Sequence, residues 1–235
     1  MIYKISDEIL SDFPMFTRGV VIASQVNNTP KQLAVLEEML ANKSEEIRIN
    51  NSITIDHPKI QKWFDVYKRF GADVNQNPPS IANLIRRIKQ GKHISFISPI
   101  VAIINIISLT YLVPSGGIDA TTVKGDLVLG KAQGNEAFIP LGREKPVRLS
   151  PGEVIFYDNL QKIVICRAWN SRAGQFTIIS PSTTSVIVDV DGMIDIISRP
   201  EIIRATEFLA ALIKEYCGGN IRIEYLSSER NEIAI

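Results

Sequence analysis

"SPIVAIINIISLTYLVPSGGID", residues Ser98 to Asp119, is where the chain changes its grammar. Upstream, apolar residues recur at helical spacing. Downstream, they come in short β-rich runs broken by Gly, Pro, Asn and Asp. The stretch opens on Ser98-Pro99, an N-cap with proline at the first helical position, and ends in a proline, a glycine pair and an aspartate. It reads as a buried helix, yet it carries Asn105 and Ser108. A buried polar group without a partner costs roughly 1–3 kcal/mol. The two lie three apart and so share a helix face, and the expectation is that they line a pocket.

Upstream, "MFTRGVVIAS" reads as a strand with a β-branched centre. Thr29-Pro30 reads as a helix start, with Leu33, Leu36 and Leu40 at core-facing spacing. "DHPKIQKWFDVYKRFG" repeats the device with Ile60, Trp63, Phe64 and Tyr67, and stops at Gly71. "NPPSIANLIRRIKQGK" places Ile81, Leu84, Ile85 and Ile88 on one face and stops at Gly91. Downstream, "DLVLGKA", "EAFIPLG", "EVIFYD", "KIVICRA", "QFTIIS" and "SVIVDV" read as strands. Pro200 opens a last helix carrying Phe208, Leu209, Leu212, Ile213 and Tyr216, and "NIRIEYLS" is a last strand. Helices first and strands later indicate an α+β fold. No internal repeat or long linker divides the chain, so residues 1–235 are read as one domain.

The composition fits a packed globular protein: 45% hydrophobic and 22% charged residues exclude disorder. Cys166 and Cys217 cannot build a disulfide framework, and two reduced thiols in a cytosolic protein is the favoured reading. "MIYKISDEIL" lacks the basic and apolar regions of a signal peptide. The apolar run after Ser98 is interrupted by Pro99, Asn105, Ser108 and Pro114, and falls short of the ~20 residues that cross a bilayer. A cytoplasmic location without membrane association is the expectation.

The net charge of +1 hides an asymmetry. Between Lys59 and Lys92 stand eight Lys or Arg against two Asp. Arg86, Arg87, Lys89 and Lys92 close that sector and are the candidate RNA contacts, because a basic patch suits an anionic partner. A solvated helix pair is the alternative reading of the same charges.

No phosphate loop, dinucleotide fingerprint, serine elbow or spaced metal-ligand set occurs, and neither a metal nor a cofactor is expected. His57 stands at a helix entry and His93 in a loop, each with a structural reading. The remaining candidates form a pocket. Gly116 and Gly117 offer bare backbone that approaches a ligand closely, with N–H groups for a carbonyl or carboxylate oxygen. Asp119 could accept from an ammonium or ribose hydroxyl, or simply cap a tight turn. "CRAWNSRAG" displays Trp169, Asn170 and Arg172 as stacking and hydrogen-bonding groups, and Thr183-Thr184 is a weaker hint.

Taken together, "FPMFTRGVVIAS", the helical stretch from His57, the stretch from Ile97, "PGEVIFYDN" and "CRAWNSR" resemble the free-standing editing-like domain related to the phenylalanyl-tRNA synthetase beta chain, the B-three/B-four domain. The resemblance runs from Phe13 to Val190, with residues 200–235 completing the domain. It implies helices packed on a curved, mainly antiparallel sheet with the pocket between them. In the synthetase this domain hydrolyses tyrosine wrongly esterified to the phenylalanine tRNA. By that resemblance Asn105 and Asp119 keep the family's residue types. The family's histidine falls on Gly116, and no carboxylate stands in "WNSRAG" to recognise a tyrosyl hydroxyl. The resemblance therefore implies a hydrolase that deacylates a mischarged aminoacyl-tRNA carrying a side chain other than tyrosine. The alternative is a non-catalytic module of the same fold that binds an amino acid, a metabolite or RNA. Hydrolysis of another small ester or amide is a third reading. In the hydrolase reading Gly116 and Gly117 stabilise the oxyanion and Asn105 positions water or the ribose hydroxyl. Ser108, Asp119, Trp169, Asn170 and Arg172 then line the substrate site. Valine at Gly117 is expected to fill the space the ester carbonyl needs.

Overall fold

A computed structural model describes residues 1–29 and 34–235. Pro30 and Leu33, named above for the first long helix, lie outside the described residues. In chain order the elements are β1 (Ile2–Ile5), α1 (Asp7–Asp12), β2 (Phe16–Ser24), α2 (Ala34–Ile49), α3 (Pro58–Arg69), α4 (Ser80–Lys89), α5 (Pro99–Tyr111), β3 (Ser115–Asp119), β4 (Leu127–Lys131), β5 (Val154–Asp158), β6 (Ile163–Arg167), β7 (Arg172–Ala173), β8 (Ser185–Met193), α6 (Arg199–Cys217), β9 (Asn220–Leu226) and β10 (Glu232–Ala234).

The fold is α+β in a single domain, with helices against mainly antiparallel strands. The strands form two sheets where one was expected. A six-stranded sheet has the order β10-β1-β4-β5-β6-β7, and a four-stranded sheet the order β3-β8-β2-β9. The pair β1–β4 is parallel and the other strand pairs are antiparallel.

Three segments depart from the sequence reading. "SGGID" is not a turn but the edge strand β3, paired with β8. "EAFIPLG" makes only isolated bridges, at Ala137, Phe138 and Pro140, because Pro140 brings no N–H to a ladder. "QFTIIS" is irregular, although its Thr177 carbonyl accepts from the Asp119 amide off the free edge of β3.

The four-stranded sheet separates two environments. Side chains alternate across a strand, so Gly19, Gly117, Val188, Val190 and Gly192 point one way, while Arg18, Gly116, Asp189 and Asp191 point the other. Helices α5 and α6 press on the first face. A Cβ at Gly19 would sit 1.9 Å from Thr206 Oγ1, and one at Gly192 2.4 Å from Ile202 Cδ1, so both glycines let α6 approach the backbone. α5 is capped by Ser98, whose hydroxyl accepts from the Val101 amide, and it stops at Leu112 in the left-handed region. α2 and α4 cover its outer side. Among the described residues no helix is long and apolar enough to cross a membrane.

Candidate functional site

The second face of the sheet looks toward β5 and β6 of the other sheet, and between them lies a cavity of about 100 Å³. Its walls are apolar at Phe156, Ile165, Ile118 and Ile178 and polar at one end, where Arg18, Asp189 and Asp191 meet. The register explains the polar end. Arg18 pairs across the ladder with Asp191, and Asp189 stands two residues along β8, on the same face. Opposite Asp189 on β3 is Gly116, which has no side chain to cover it.

Arg18 and Asp191 are each 2% exposed and form a two-point ion pair, Nε to Oδ1 at 2.5 Å and Nη2 to Oδ2 at 2.9 Å. Arg18 Nη1 donates to the Tyr3 hydroxyl at 2.6 Å and lies 3.7 Å from Asp189 Oδ2. The guanidinium is also boxed in by the rings of Tyr3, Phe16 and Phe156, at 5.4–5.9 Å from their centroids. Asp191 is thus fully engaged. Asp189 is not: its Oδ1 is buried and has no hydrogen-bond partner among the described residues. Burial pushes the Asp189 carboxyl up to about 6; Arg18 opposes that rise and Asp191 adds to it. Burial likewise pushes the Cys166 thiol on the cavity wall up to about 12, which makes it a poor nucleophile.

The loop between β6 and β7 supplies the other polar groups. Ala168 and Trp169 both adopt positive φ, 46° and 63°, a conformation that costs of order 1–3 kcal/mol per residue. The Trp169 amide is held by the Val154 carbonyl at 2.8 Å. The strained turn drives the indole inward, edge-on to Phe13, Phe16 and Trp63. Trp169 is 1% exposed and lines the cavity, and its Nε1 also has no partner among the described residues. Asn170 is fixed from both sides: the Tyr67 hydroxyl donates to its Oδ1 at 2.8 Å, and its Nδ2 donates to Asp191 Oδ2 at 3.3 Å.

Of the residues singled out from sequence, Gly116, Gly117, Trp169 and Asn170 line this cavity together. Asn105 and Ser108 do not, because α5 packs on the opposite face and β3 stands between. The pocket lies between the two sheets, not between helices and sheet. Asp119 is spent on structure: it accepts from the Thr121 amide and hydroxyl at 2.9 and 2.6 Å, and from the Thr183 hydroxyl at 2.6 Å. That is the capping alternative. Arg172 is exposed on β7, outside the cavity.

The glycine pair divides as well. The Asp191 amide donates to the Pro114 carbonyl at 2.9 Å, so the alternation of the ladder aims the Gly116 N–H at the Asp189 carbonyl and the Gly117 N–H off the free edge. Only the Gly117 amide is therefore unclaimed by β8. A Cβ at Gly117 would point away from the cavity, 2.8 Å from Ile104 Cδ1 and 2.9 Å from Ile179 Cδ1. Valine at Gly117 would disturb packing on the helix face and leave the cavity unfilled, contrary to expectation.

The basic sector is largely committed. Lys59 pairs with Glu201 at 2.5 Å and Lys62 with Asp195. Lys89 donates to the Asn50 and Arg48 carbonyls at 2.7 and 3.3 Å, closing the end of α2, and Arg87 donates to the His93 carbonyl at 3.3 Å. Arg86 is half-buried and Lys92 exposed. These residues occupy the end of α4 far from the cavity. The near end adjoins Pro78, whose carbonyl accepts from Ser171 Oγ at 2.7 Å, and ten helical residues span about 15 Å.

Arg18, Asp189, Asp191 and Tyr3 escaped the sequence reading. The signal was present in "SVIVDVDGM": two carboxylates at strand spacing in an otherwise apolar run must share one buried face. Among the described residues no three His, Cys, Asp or Glu side chains gather as a metal site requires.

No curated protein matches the chain. Among solved structures, an N-terminal fragment of the phenylalanyl-tRNA synthetase beta-subunit from Pyrococcus horikoshii is similar, at 14% identity and a TM-score of 0.46. The likeness covers 93% of this chain and 49% of that one, so the chain spans about half that fragment's length. Residues 62–218, more than half of the chain, match the B3/4 domain, and the protein belongs to the B3/4 domain family.

Proposed function

We propose that the protein deacylates a mischarged aminoacyl-tRNA, with the aminoacyl group in the cavity between the sheets. The observation that carries this reading is a buried acceptor and a buried donor, Asp189 Oδ1 and Trp169 Nε1, both unpartnered among the described residues and both on residues of the cavity wall. Native proteins satisfy nearly all such groups, and a ligand that donates to one and accepts from the other satisfies both. A cavity of about 100 Å³ suits a group of amino-acid side-chain size.

Asp189 is the group poised for proton transfer, since a carboxyl at about 6 is ionised at neutral pH yet basic enough to hold a proton. Water gives its proton to Asp189 as its oxygen attacks the ester carbonyl. The acyl C–O bond then breaks, and the ribose oxygen leaves with the proton returned by Asp189. The Gly117 amide, unclaimed by the ladder, is the donor for the developing oxyanion. Arg18, itself held by Asp191, stands 3.7 Å from Asp189 Oδ2 and fixes the charge beside it, while Asn170 braces Asp191; none of the three takes part in the proton transfer.

The glycine where the family resemblance expects a histidine favours the rival reading, a module that binds the amino acid without cleaving it. A panel of mischarged tRNAs decides between them. The hydrolase reading expects at least one to be deacylated, with Asp189→Asn lowering the rate about 10²-fold or more. If none is cleaved and free amino acids still bind, the binding module stands in its place.

A further inference from the structure

The strip from Arg172 to Ile178 has two sides. Ala173, Gly174, Thr177 and Ile178 border the cavity. The same strip holds a loop on its outer side: the Leu141 amide donates to the Ala173 carbonyl at 2.9 Å, the Gln175 amide to the Ile139 carbonyl at 2.8 Å, and the Gly142 amide to Gln175 Oε1 at 3.0 Å. Residues 141–148 of that loop are all exposed. Between loop and strip lies an open cleft of about 570 Å³, lined by Arg143, Lys145 and Arg172 with Glu144 as its lone carboxylate. Arg148 follows next door. Among the described residues none of these four cations is in an ion pair. The contrast with Lys59, Lys62 and Lys89, all engaged, is direct. Phe176 follows Gln175, the residue that holds the loop at Gly142, and is 47% exposed, a large ring that the fold leaves in solvent.

We propose that this cleft and Phe176 are the docking surface for a single-stranded RNA end, which delivers its terminal group into the adjoining cavity. Uncommitted cations along a groove meet phosphates, and an exposed aromatic ring offers a stacking platform for a base; together they are the recurrent recipe for binding a nucleic-acid strand. The inference rests on the deacylase reading for what the strand carries, and it moves the RNA surface from the far end of α4 to the rim of the cavity. It also gives Arg172 a place: not in the substrate cavity, but on the phosphate path leading to it.

The test is binding of a 5′-fluorescein-labelled, non-aminoacylated eight-nucleotide RNA, followed by anisotropy between 50 and 300 mM salt. Arg143→Gln with Lys145→Gln is expected to weaken binding at least tenfold at low salt and to flatten the log–log salt slope by about 1.4, since each phosphate contact on a single strand contributes about 0.7. Phe176→Ala is expected to weaken binding about tenfold with the slope unchanged, because stacking releases no counterions. Arg86→Glu with Arg87→Glu should leave affinity within twofold. Wild-type affinity in the loop variant, equal loss in the α4 variant, displacement of RNA by polyglutamate at equal charge, or no RNA binding at all would each overturn the proposal. Melting curves identical to wild type confirm that the exposed substitutions leave the fold intact; Arg172→Gln, on a different element, must then flatten the slope by about 0.7, the share of one phosphate contact. The two readings fail separately. Cleavage of aminoacyl-tRNA that is indifferent to the loop charges removes this surface and keeps the deacylase. RNA bound through the loop with no tRNA cleaved removes the deacylase and keeps the surface.

Discussion

Gly116 and Gly117 are neighbours on one edge strand, yet they face different worlds. A Cβ at Gly117 runs into Ile104, Ile179 and Val188 within 3.1 Å, while a Cβ at Gly116 meets nothing within 4 Å. The difference belongs to the whole four-stranded sheet. Its helix face is apolar and closed against α5 and α6, and its other face carries Arg18, Asp189 and Asp191 around a cavity. The closed face holds the fold together, and the open face is where the protein tolerates strained, charged and unpartnered groups. Such groups persist only where surrounding structure over-determines them.

The sharpest way to break this comparison is inside the charged face itself, at the two aspartates. Asp191 is structural: both of its oxygens are claimed by Arg18. Asp191→Ala strands a buried guanidinium, and losing one partner of a buried pair costs about 3–5 kcal/mol. Urea unfolding should show a midpoint shift of that size, or no folded protein. A loss below about 1 kcal/mol would mean that Arg18 finds another partner and that the cavity floor is not held as described.

Asp189 is expected to act in the opposite direction. Its folded carboxyl lies at about 6 and its unfolded value at about 3.9, so the native state binds more protons between those pH values. Its contribution to stability is fully present below about pH 4 and is lost as pH rises through 6. Asp189→Asn removes the penalty of burying the charge. The variant should be more stable than wild type above pH 6, by up to roughly 3 kcal/mol from a difference of about two pH units, and indistinguishable near pH 4. Thermal melts across pH 4–8 read this directly. A variant destabilised at neutral pH would make Asp189 a structural residue like Asp191. Stabilisation with loss of deacylation is the mark of a group retained for chemistry.

How much of this was legible in the sequence follows from the same division. The helices α3 to α6 announce themselves, because apolar residues at helical spacing act locally, as do the His or Ser cap and the first-turn proline of α3, α5 and α6. Strand β2 and strand β8 were readable for the same reason. What could not be read was which strands share a sheet. The pairing of β3 with β8 spans some seventy residues of chain, and without it "SGGID" looks like a turn. That one pairing also decides which side of the sheet Asn105 and Ser108 occupy, and without it the sequence places the pocket on the helix face. Trp169 and Asn170 were recognisable because stacking and amide groups cluster in one loop. The aspartates match no motif, and their meaning depends on burial: a carboxylate within an apolar strand is informative only once the strand is known to be buried on that face.

On the closed face, Gly117→Val should act as overpacking. Its Cβ already needs the tips of Ile104 and Ile179 to move, and the two methyls add to that. Overpacking of this kind costs about 1–3 kcal/mol. Chemical denaturation checks the size, and relief by Ile104→Val in the same chain checks the cause. If Gly117→Val is as stable as wild type, α5 is not seated against β3 as described.

The same substitution one residue earlier should do almost nothing to stability and much to function. Gly116 is extended, without the positive φ that would penalise a side chain, and valine favours strands. Its Cβ enters open space on the cavity side, so the melting temperature should stay within the change expected of about 0.5 kcal/mol for an uncrowded site. The isopropyl group, however, occupies much of a cavity of about 100 Å³ and lies directly across the ladder from Asp189. Gly116→Val should therefore abolish deacylation and amino-acid binding while leaving the affinity for the bare RNA strand intact, since the cleft beyond Arg172 is untouched. Unfolding of this variant to the same degree as Gly117→Val would erase the distinction between the two faces. Folded protein with undiminished turnover would place the chemistry outside the cavity. Alanine at the same position sharpens the result, because a single methyl narrows the cavity without closing it and should reduce turnover for the bulkier of two aminoacyl substrates first.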